Sequence, residues 1–249
     1  MKTVLKSIAS ENEKTNRELL KNLFDENPIF ENEKINNIGL FLKRQELSKV
    51  LFLNEIYSQL IDVHGVIMEF GVRWGQNLTT LNNLRGIHEP FNHSRKIIGF
   101  DTFEGFEGVS EKDGKHDYNQ KGAFNVSENY DEYLKNVLKC HENECPLEHV
   151  DKNIIIKGDA TITLKKYLDN HKETIIAFAY FDFDIYKPTV ECLKLIKPYL
   201  TKGSILGFDE LCDPGFPGET EALREVFGTN NFEIKRNKFS GIQSYLIFK

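Results

Sequence analysis

V-I-M-E-F-G-V-R-W-G, residues 66–75, and I-I-G-F-D-T-F, residues 97–103, are the stretches whose reading decides the fold. Each is a short apolar run that stops at a polar tip. The first tip carries Glu69 and a loop with Gly71 and Gly75, and the second ends on Asp101. Strand, glycine turn, helix and acid-tipped strand is how an α/β fold holds an adenosine group. Glycines let backbone approach a ligand, and a helix starting after Gly75 turns free N–H groups into the cleft. A carboxylate at the next strand end can accept both ribose hydroxyls. The two stretches thus predict a nucleotide-like cofactor without saying which. For Glu69, a role in organising the backbone is the alternative to ligand contact. Trp74 and Phe103 read equally well as a wall of the cofactor pocket or as core aromatics.

The alternation continues outward. Apolar runs predict strands at 66–71, 96–101, 153–157, 175–182 and 203–208, and helical periodicity predicts helices at 75–85, 128–140, 161–169, 188–199 and 218–227. I-I-A-F-A-Y-F, residues 175–181, is too uniformly apolar for a strand with one wet face and suits a parallel strand covered on both sides. N-F-E-I-K-R and I-Q-S-Y-L-I-F, joined by the turn-prone N-K-F-S-G, predict a C-terminal antiparallel hairpin. The expectation is an α/β domain over 63–249 with a seven-stranded, mostly parallel sheet. Ahead of it, R-E-L-L-K-N-L-F and Q-E-L-S-K-V-L-F-L-N-E-I-Y-S-Q-L predict a helical extension over 1–62, broken at Asn36-Asn37-Ile38-Gly39. Residues 104–150 are a long polar insertion, which reads as a lid or as a disordered excursion.

Composition narrows the classes. The 249 residues are 40% hydrophobic and 28% charged, ample for a buried core. A net charge of −6 argues against a nucleic-acid partner. The apolar runs are strand-sized, short of a membrane span, and the start of the chain turns charged too early for a signal peptide, so a cytoplasmic location is expected. Cys140 and Cys145 flank H-E-N-E beside His149, but no second pair sits at zinc spacing, and Cys140, Cys145, Cys192 and Cys212 read as free thiols. Without secretion, the sequons at Asn77 and Asn125 carry no weight.

A second cluster lies in A-Y-F-D-F-D-I-Y-K-P-T, residues 179–189, and G-S-I-L-G-F-D-E-L, residues 203–211. Both are predicted strands that end in acids: Asp182 and Asp184 on one, Asp209 and Glu210 on the other. In an open parallel sheet, ligands sit outside the carboxyl ends of the strands, so these acids and Asp101 are expected on one rim. Carboxylates in one cleft repel unless a cation or protons compensate them. An all-oxygen donor set favours a hard divalent ion, Mg²⁺ first. Asp182, Asp209 and Glu210 would hold it, leaving Asp184 free to take a proton. Helix capping is the competing role for such acids.

E-F-G-V-R-W-G, G-F-D-T-F-E-G-F, A-Y-F-D-F-D-I-Y-K-P-T, P-Y-L-T-K-G-S-I-L-G-F-D-E-L and F-P-G-E together resemble the macrocin-type family of S-adenosylmethionine-dependent sugar O-methyltransferases. The resemblance runs from about Arg44 to the C-terminus. It implies a class I methyltransferase (Rossmann-like) fold and S-adenosyl-L-methionine as cofactor. It places Gly71, Gly75 and Asp101 around the methionine and ribose, and Asp159 beside the adenine. With Glu69, Trp74, Thr102, Phe103 and Asp182, these complete the candidate cofactor-binding set. It further implies Mg²⁺ on Asp182, Asp209 and Glu210, with Asp184 as general base. The chain departs from more distant members, which often carry two aspartates where Asp209-Glu210 stands.

The expected reaction is methyl transfer to a hydroxyl of a sugar-containing acceptor, by a homo-oligomeric enzyme. Lys115, Lys121 and Arg224 are candidates for contacting a diphosphate carrier. A metal-independent methyltransferase is the first alternative. A nicotinamide-dependent oxidoreductase is the second, weakened because Leu78 stands where a dinucleotide fingerprint wants its third glycine.

Overall fold

The computed structural model describes residues 9–115 and 119–249. The start of the predicted helical extension, residues 1–8, and residues 116–118 of the insertion lie outside them. The chain divides into two compact units, one ending at Ser48 and the other running Lys49–Lys249.

In the first unit, helix α1 spans Glu11–Asp25. Ser10 and Glu13 cap it reciprocally: each side chain accepts the other's backbone N–H, which satisfies two otherwise orphaned donors. Short 3₁₀ turns at Glu31–Glu33 and Ile38–Phe41 stand around the expected break, and Phe24 meets Phe41 edge-on at 5.1 Å. Helix α2, Arg44–Leu60, begins in this unit and continues into the next.

The second unit is built on a single sheet. In chain order it contains β1 (Val66–Phe70), α3 (Gln76–His88), β2 (Ile97–Asp101), α4 (Tyr130–Asn143) and β3 (Asn153–Lys157). There follow α5 (Ala160–Asn170), β4 (Ile176–Phe181), α6 (Tyr186–Ile196), β5 (Leu200–Phe208), α7 (Gly218–Val226), β6 (Lys235–Arg236) and β7 (Ser244–Ile247). The strand order is β3-β2-β1-β4-β5-β7-β6, with β7 antiparallel to both neighbours and the rest parallel. This is the class I methyltransferase arrangement that the resemblance implies. Each predicted strand and helix of this unit has a counterpart, but the N-F-E-I-K-R strand shrinks to Lys235–Arg236 and the helix expected over 188–199 ends at Ile196, followed by a 3₁₀ turn. Strand β5 starts earlier than expected, at Leu200, because Leu200 pairs with Ile176 before a register shift.

The central strands are buried on both faces, as their unbroken apolar runs require. One face packs on α5, α6 and α7 through Leu164, Val190, Leu193, Ala222 and Leu223. The other packs on α2, α3 and α4 through Phe52, Ile56, Leu78, Leu81 and Leu134.

Register sets the rim. Phe70 pairs with Phe100 and with Phe181, and Phe181 pairs with Phe208. The residues that follow, Gly71, Asp101, Asp182 and Asp209, therefore leave the sheet side by side. Beneath them the four rings stack in a row, with centroids 5.2, 4.7 and 5.4 Å apart. The described residues of the insertion carry α4 and a 3₁₀ turn at Glu111–Asp113.

Candidate active site

The acids at the ends of β4 and β5 do converge. One carboxylate oxygen each from Asp182, Asp184 and Glu210 lies within 4.8 Å of the others. Asp209 stands beside them but is engaged otherwise. Its Oδ1 accepts hydrogen bonds from the Tyr180 hydroxyl and from Gln243 Nε2 at 3.2 Å, and pairs with Lys49 Nζ at 3.0 Å. The expected trio of Asp182, Asp209 and Glu210 thus differs from the trio that is drawn closest, in which Asp184 takes Asp209's place.

Asp184 reaches the cluster through an unusual backbone. Its φ is 60°, the left-handed region that side chains other than glycine rarely adopt. It does not cap α6, whose N-cap position is Ile185. The open N–H of Tyr186 is taken instead by the Asp113 carboxylate, from the insertion.

Glu219 was not foreseen as a site residue. Fully buried in the first turn of α7, it accepts the Glu210 backbone N–H at 3.2 Å on one oxygen, and its other oxygen has no partner. Glu210 Oε2 is likewise buried and unpartnered. Tyr180, Gln243 and Lys49 were missed too. Gly207 explains the reach of Tyr180: a Cβ there would sit 2.7 Å from the Tyr180 ring, so only glycine lets the phenol lie flat across β5.

Such crowding shifts the titrations. Burial, then the Asp209 charge, pushes the Asp182 carboxyl up to about 6, with Lys49 pulling the other way. The 24% exposure of the Asp182 side chain lets water soften that push. Burial and the Asp182 charge push Asp184 up to about 8. Burial, then Asp209 and Asp184, raise Glu210 well above the carboxylate range. Burial also opposes ionisation of Asp209, but Lys49 and the hydrogen bonds to it prevail and hold it near 2. The cluster is therefore overcharged with acid and short of cations.

These observations fit a hard divalent ion: the donors are all oxygens, three of them are gathered, and a buried carboxylate oxygen at Glu210 is unpartnered.

The cofactor candidates line the neighbouring stretch of rim. Gly71 has φ +92°, and a Cβ would collide with the Asp182 carbonyl, so the glycine is demanded by passage of β1 over β4. Gly75, at φ +77°, opens α3 with no side-chain cap, leaving its first-turn N–H groups for an anion. The Asp101 oxygens accept backbone N–H groups of Arg73 at 2.7 Å and Phe103 at 2.5 Å, which ties the two loops together. Glu69 is 1% exposed with neither oxygen hydrogen-bonded; burial and then the Asp182 charge raise its carboxyl, while the Lys49 charge lowers it.

Trp74 is 47% exposed and lies outside the core, edge-on to Tyr130, whereas Phe103 is a buried member of the α2–α3–α4 core. Thr102 closes a turn onto the Gly105 carbonyl at 3.0 Å. Asp159 caps α5 by accepting from Thr161 N and Oγ1. Of the diphosphate candidates, Arg224 is paired with Glu221, and Lys115 and Lys121 are exposed.

No protein-family model matches the chain, and no curated protein does. Solved structures do. CalS11, a calicheamicin methyltransferase, is 41% identical over 97% of this chain and 94% of its own, with a TM-score of 0.94. The apo structure of CalS11, described as a TDP-rhamnose 3'-O-methyltransferase of calicheamicin biosynthesis, is 39% identical over 97% and 96%, with a TM-score of 0.85. The chain belongs to the macrocin-type family of S-adenosylmethionine-dependent sugar O-methyltransferases. It is an S-adenosylmethionine-dependent O-methyltransferase, which removes the oxidoreductase alternative. The O-methyltransferase NovP, 17% identical over 82% and 80% with a TM-score of 0.57, shares the fold. No helix among the described residues is long and apolar enough to cross a membrane.

Proposed function

We propose that this chain methylates a hydroxyl of a sugar-containing acceptor at the rim above β4 and β5, with help from a hard divalent cation such as Mg²⁺. The observation that carries the reading is the gathering of Asp182, Asp184 and Glu210 within 4.8 Å of one another beside the glycine loop. Its relation to CalS11, for which a TDP-rhamnose acceptor is named, supports a sugar linked to a nucleotide carrier.

Asp182 and Glu210 would hold the cation, and Asp209, kept ionised by Lys49, adds fixed charge to the set. S-adenosylmethionine supplies an electrophilic methyl when bound, and the cation lowers the pKa of a hydroxyl chelated beside it. The chain's own task is alignment and deprotonation. Gly71, Gly75 and the uncapped start of α3 shape the cofactor end, with Asp101 fixing the two loops. Asp184 accepts the proton of the acceptor hydroxyl. With a cation on Asp182 and Glu210, its carboxyl would be ionised and within reach of a hydroxyl held there. Closure of the insertion, 104–150, over the rim would exclude water.

Chelation tests the metal. EDTA treatment is expected to abolish turnover of a nucleotide-linked deoxysugar, with Mg²⁺ restoring it; unchanged turnover in EDTA sinks the metal role and favours the metal-independent alternative. A thermal shift with S-adenosylhomocysteine that persists in EDTA would keep the cofactor site separate from that outcome.

A further inference from the structure

Among the described residues, Lys49 is a close cationic companion of the rim acids, and the sequence pattern conceals it. Lys49 sits on α2, far from the strand tips in sequence. Its Nζ lies 3.0 Å from Asp209 Oδ1 and 3.4 Å from Asp182 Oδ2, and 5.9 Å from the Tyr180 ring centroid. The side chain is only 22% exposed. Two carboxylates on adjacent strands are thereby bridged by one compact ammonium, whose donors can turn to each in succession.

We propose that Lys49 is a positioning residue: an internal counter-cation that keeps Asp182 and Asp209 drawn together, and that gives up Asp182 when a divalent ion binds. The second half rests on the metal reading above; the first half does not. The reasoning is electrostatic. Asp182 and Asp209 follow paired residues of β4 and β5, with Asp184 and Glu210 close by, and their like charges repel unless a cation or bound protons compensate them. Lys49 offsets part of that repulsion in the metal-free protein. A divalent ion seated on Asp182 competes with the ammonium for the same carboxylate, and two cations at such separation repel. Asp209, held also by Tyr180 and Gln243, stays with Lys49 as the ion takes Asp182.

The consequence is opposite to that of a lysine that merely packs. Lys49→Met should lower the melting temperature of metal-free protein, yet bind Mn²⁺ about tenfold more tightly when titrated by electron paramagnetic resonance, while kcat falls. Lys49→Met combined with Asp209→Asn removes both charges of the pair and should recover most of the lost melting temperature. Weaker or unchanged Mn²⁺ binding by Lys49→Met overturns the competition. Failure of the double variant to recover overturns the counter-cation itself. If the wild-type protein binds no Mn²⁺, the metal reading falls, and recovery or its absence in the double variant still decides the role of Lys49. Should Lys49→Met fail to fold, Lys49→Gln carries the same comparison.

Discussion

Asp184 combines a strained backbone with a displaced titration, and both follow from what surrounds it. A left-handed φ costs about 1–3 kcal/mol and persists only where neighbours enforce it. If Asp184 is the general base, Asp184→Asn should reduce kcat by about 10²–10⁴-fold while leaving Mn²⁺ affinity within a few-fold of wild type. Asp182→Asn should lose both. Metal affinity and single-turnover rates measured on the two variants distinguish a base from a ligand.

The same residues set a pH dependence. A carboxyl whose folded pKa lies above its ordinary value of about 4 binds more protons folded than unfolded. Its contribution is therefore full at low pH and lost as pH rises toward the folded value. Asp182, near 6, and Asp184, near 8, predict that the metal-free protein loses stability as pH climbs from about 4, with Asp182 spent by about 6 and Asp184 by about 8. Thermal melts in EDTA from about pH 5 to about pH 9 should show the fall, and Asp184→Asn should flatten its upper part. At this scale the sequence was only partly legible. Strand ends exposed the acids, because a strand tip is visible as the end of an apolar run. Lys49 and Glu219 were hidden, since each sits on a helix whose period reports a buried face and not what that face meets. Asp159 caps α5, a role not expected of it from the sequence, and Asp101 spends its oxygens on two loops.

At the scale of elements, the rim depends on small residues that let large ones reach. Gly207 leaves room for Tyr180, which crosses β5 to donate to Asp209. Tyr180→Phe removes that donor from a buried acceptor, at a cost of about 1–3 kcal/mol. It should also move acid unfolding. Asp209, held low in the folded state, stabilises the protein above pH 4 or so and ceases to as pH falls through about 2. Without the phenol its folded value rises, so this stabilisation shrinks and the acid-unfolding midpoint moves to higher pH; an unmoved midpoint denies Tyr180 the role. The strands and their mostly parallel sense were the most legible part of the chain. Runs such as I-I-A-F-A-Y-F exclude a wet face, and the N-K-F-S-G turn closes the final hairpin. The register that aligns the four phenylalanines is a property of pairing, and no single run contains it.

Across the whole of the Lys49–Lys249 unit, the insertion is fastened on both sides of the rim. On one side, Arg73 lies 4.9 Å over the Phe124 ring, and the Tyr130 hydroxyl donates to the Trp74 carbonyl at 3.0 Å. On the other, Asp113 accepts from Tyr186 N, and Lys112 stands 3.8 Å over the Tyr186 ring and 3.3 Å from Glu225. Asp113 is buried and its carboxylate also accepts from Ser110, so it joins the insertion's own turn to the start of α6. An insertion held this way would open by releasing its weaker attachment. The surface cation contacts carry little, roughly 1 kcal/mol or less each. The Asp113 contact leaves a helix N–H unsatisfied when broken, about 1–3 kcal/mol. Asp113→Ala should therefore speed hydrogen exchange over residues 105–115 and 119–125 while exchange in β1 and β4 stays slow. If the insertion excludes water from the reacting groups, the variant should also raise KM for the acceptor and admit slow hydrolytic loss of the methyl donor. Faster exchange with unchanged kinetics would leave Asp113 as a structural fastening and deny the insertion its role as a lid.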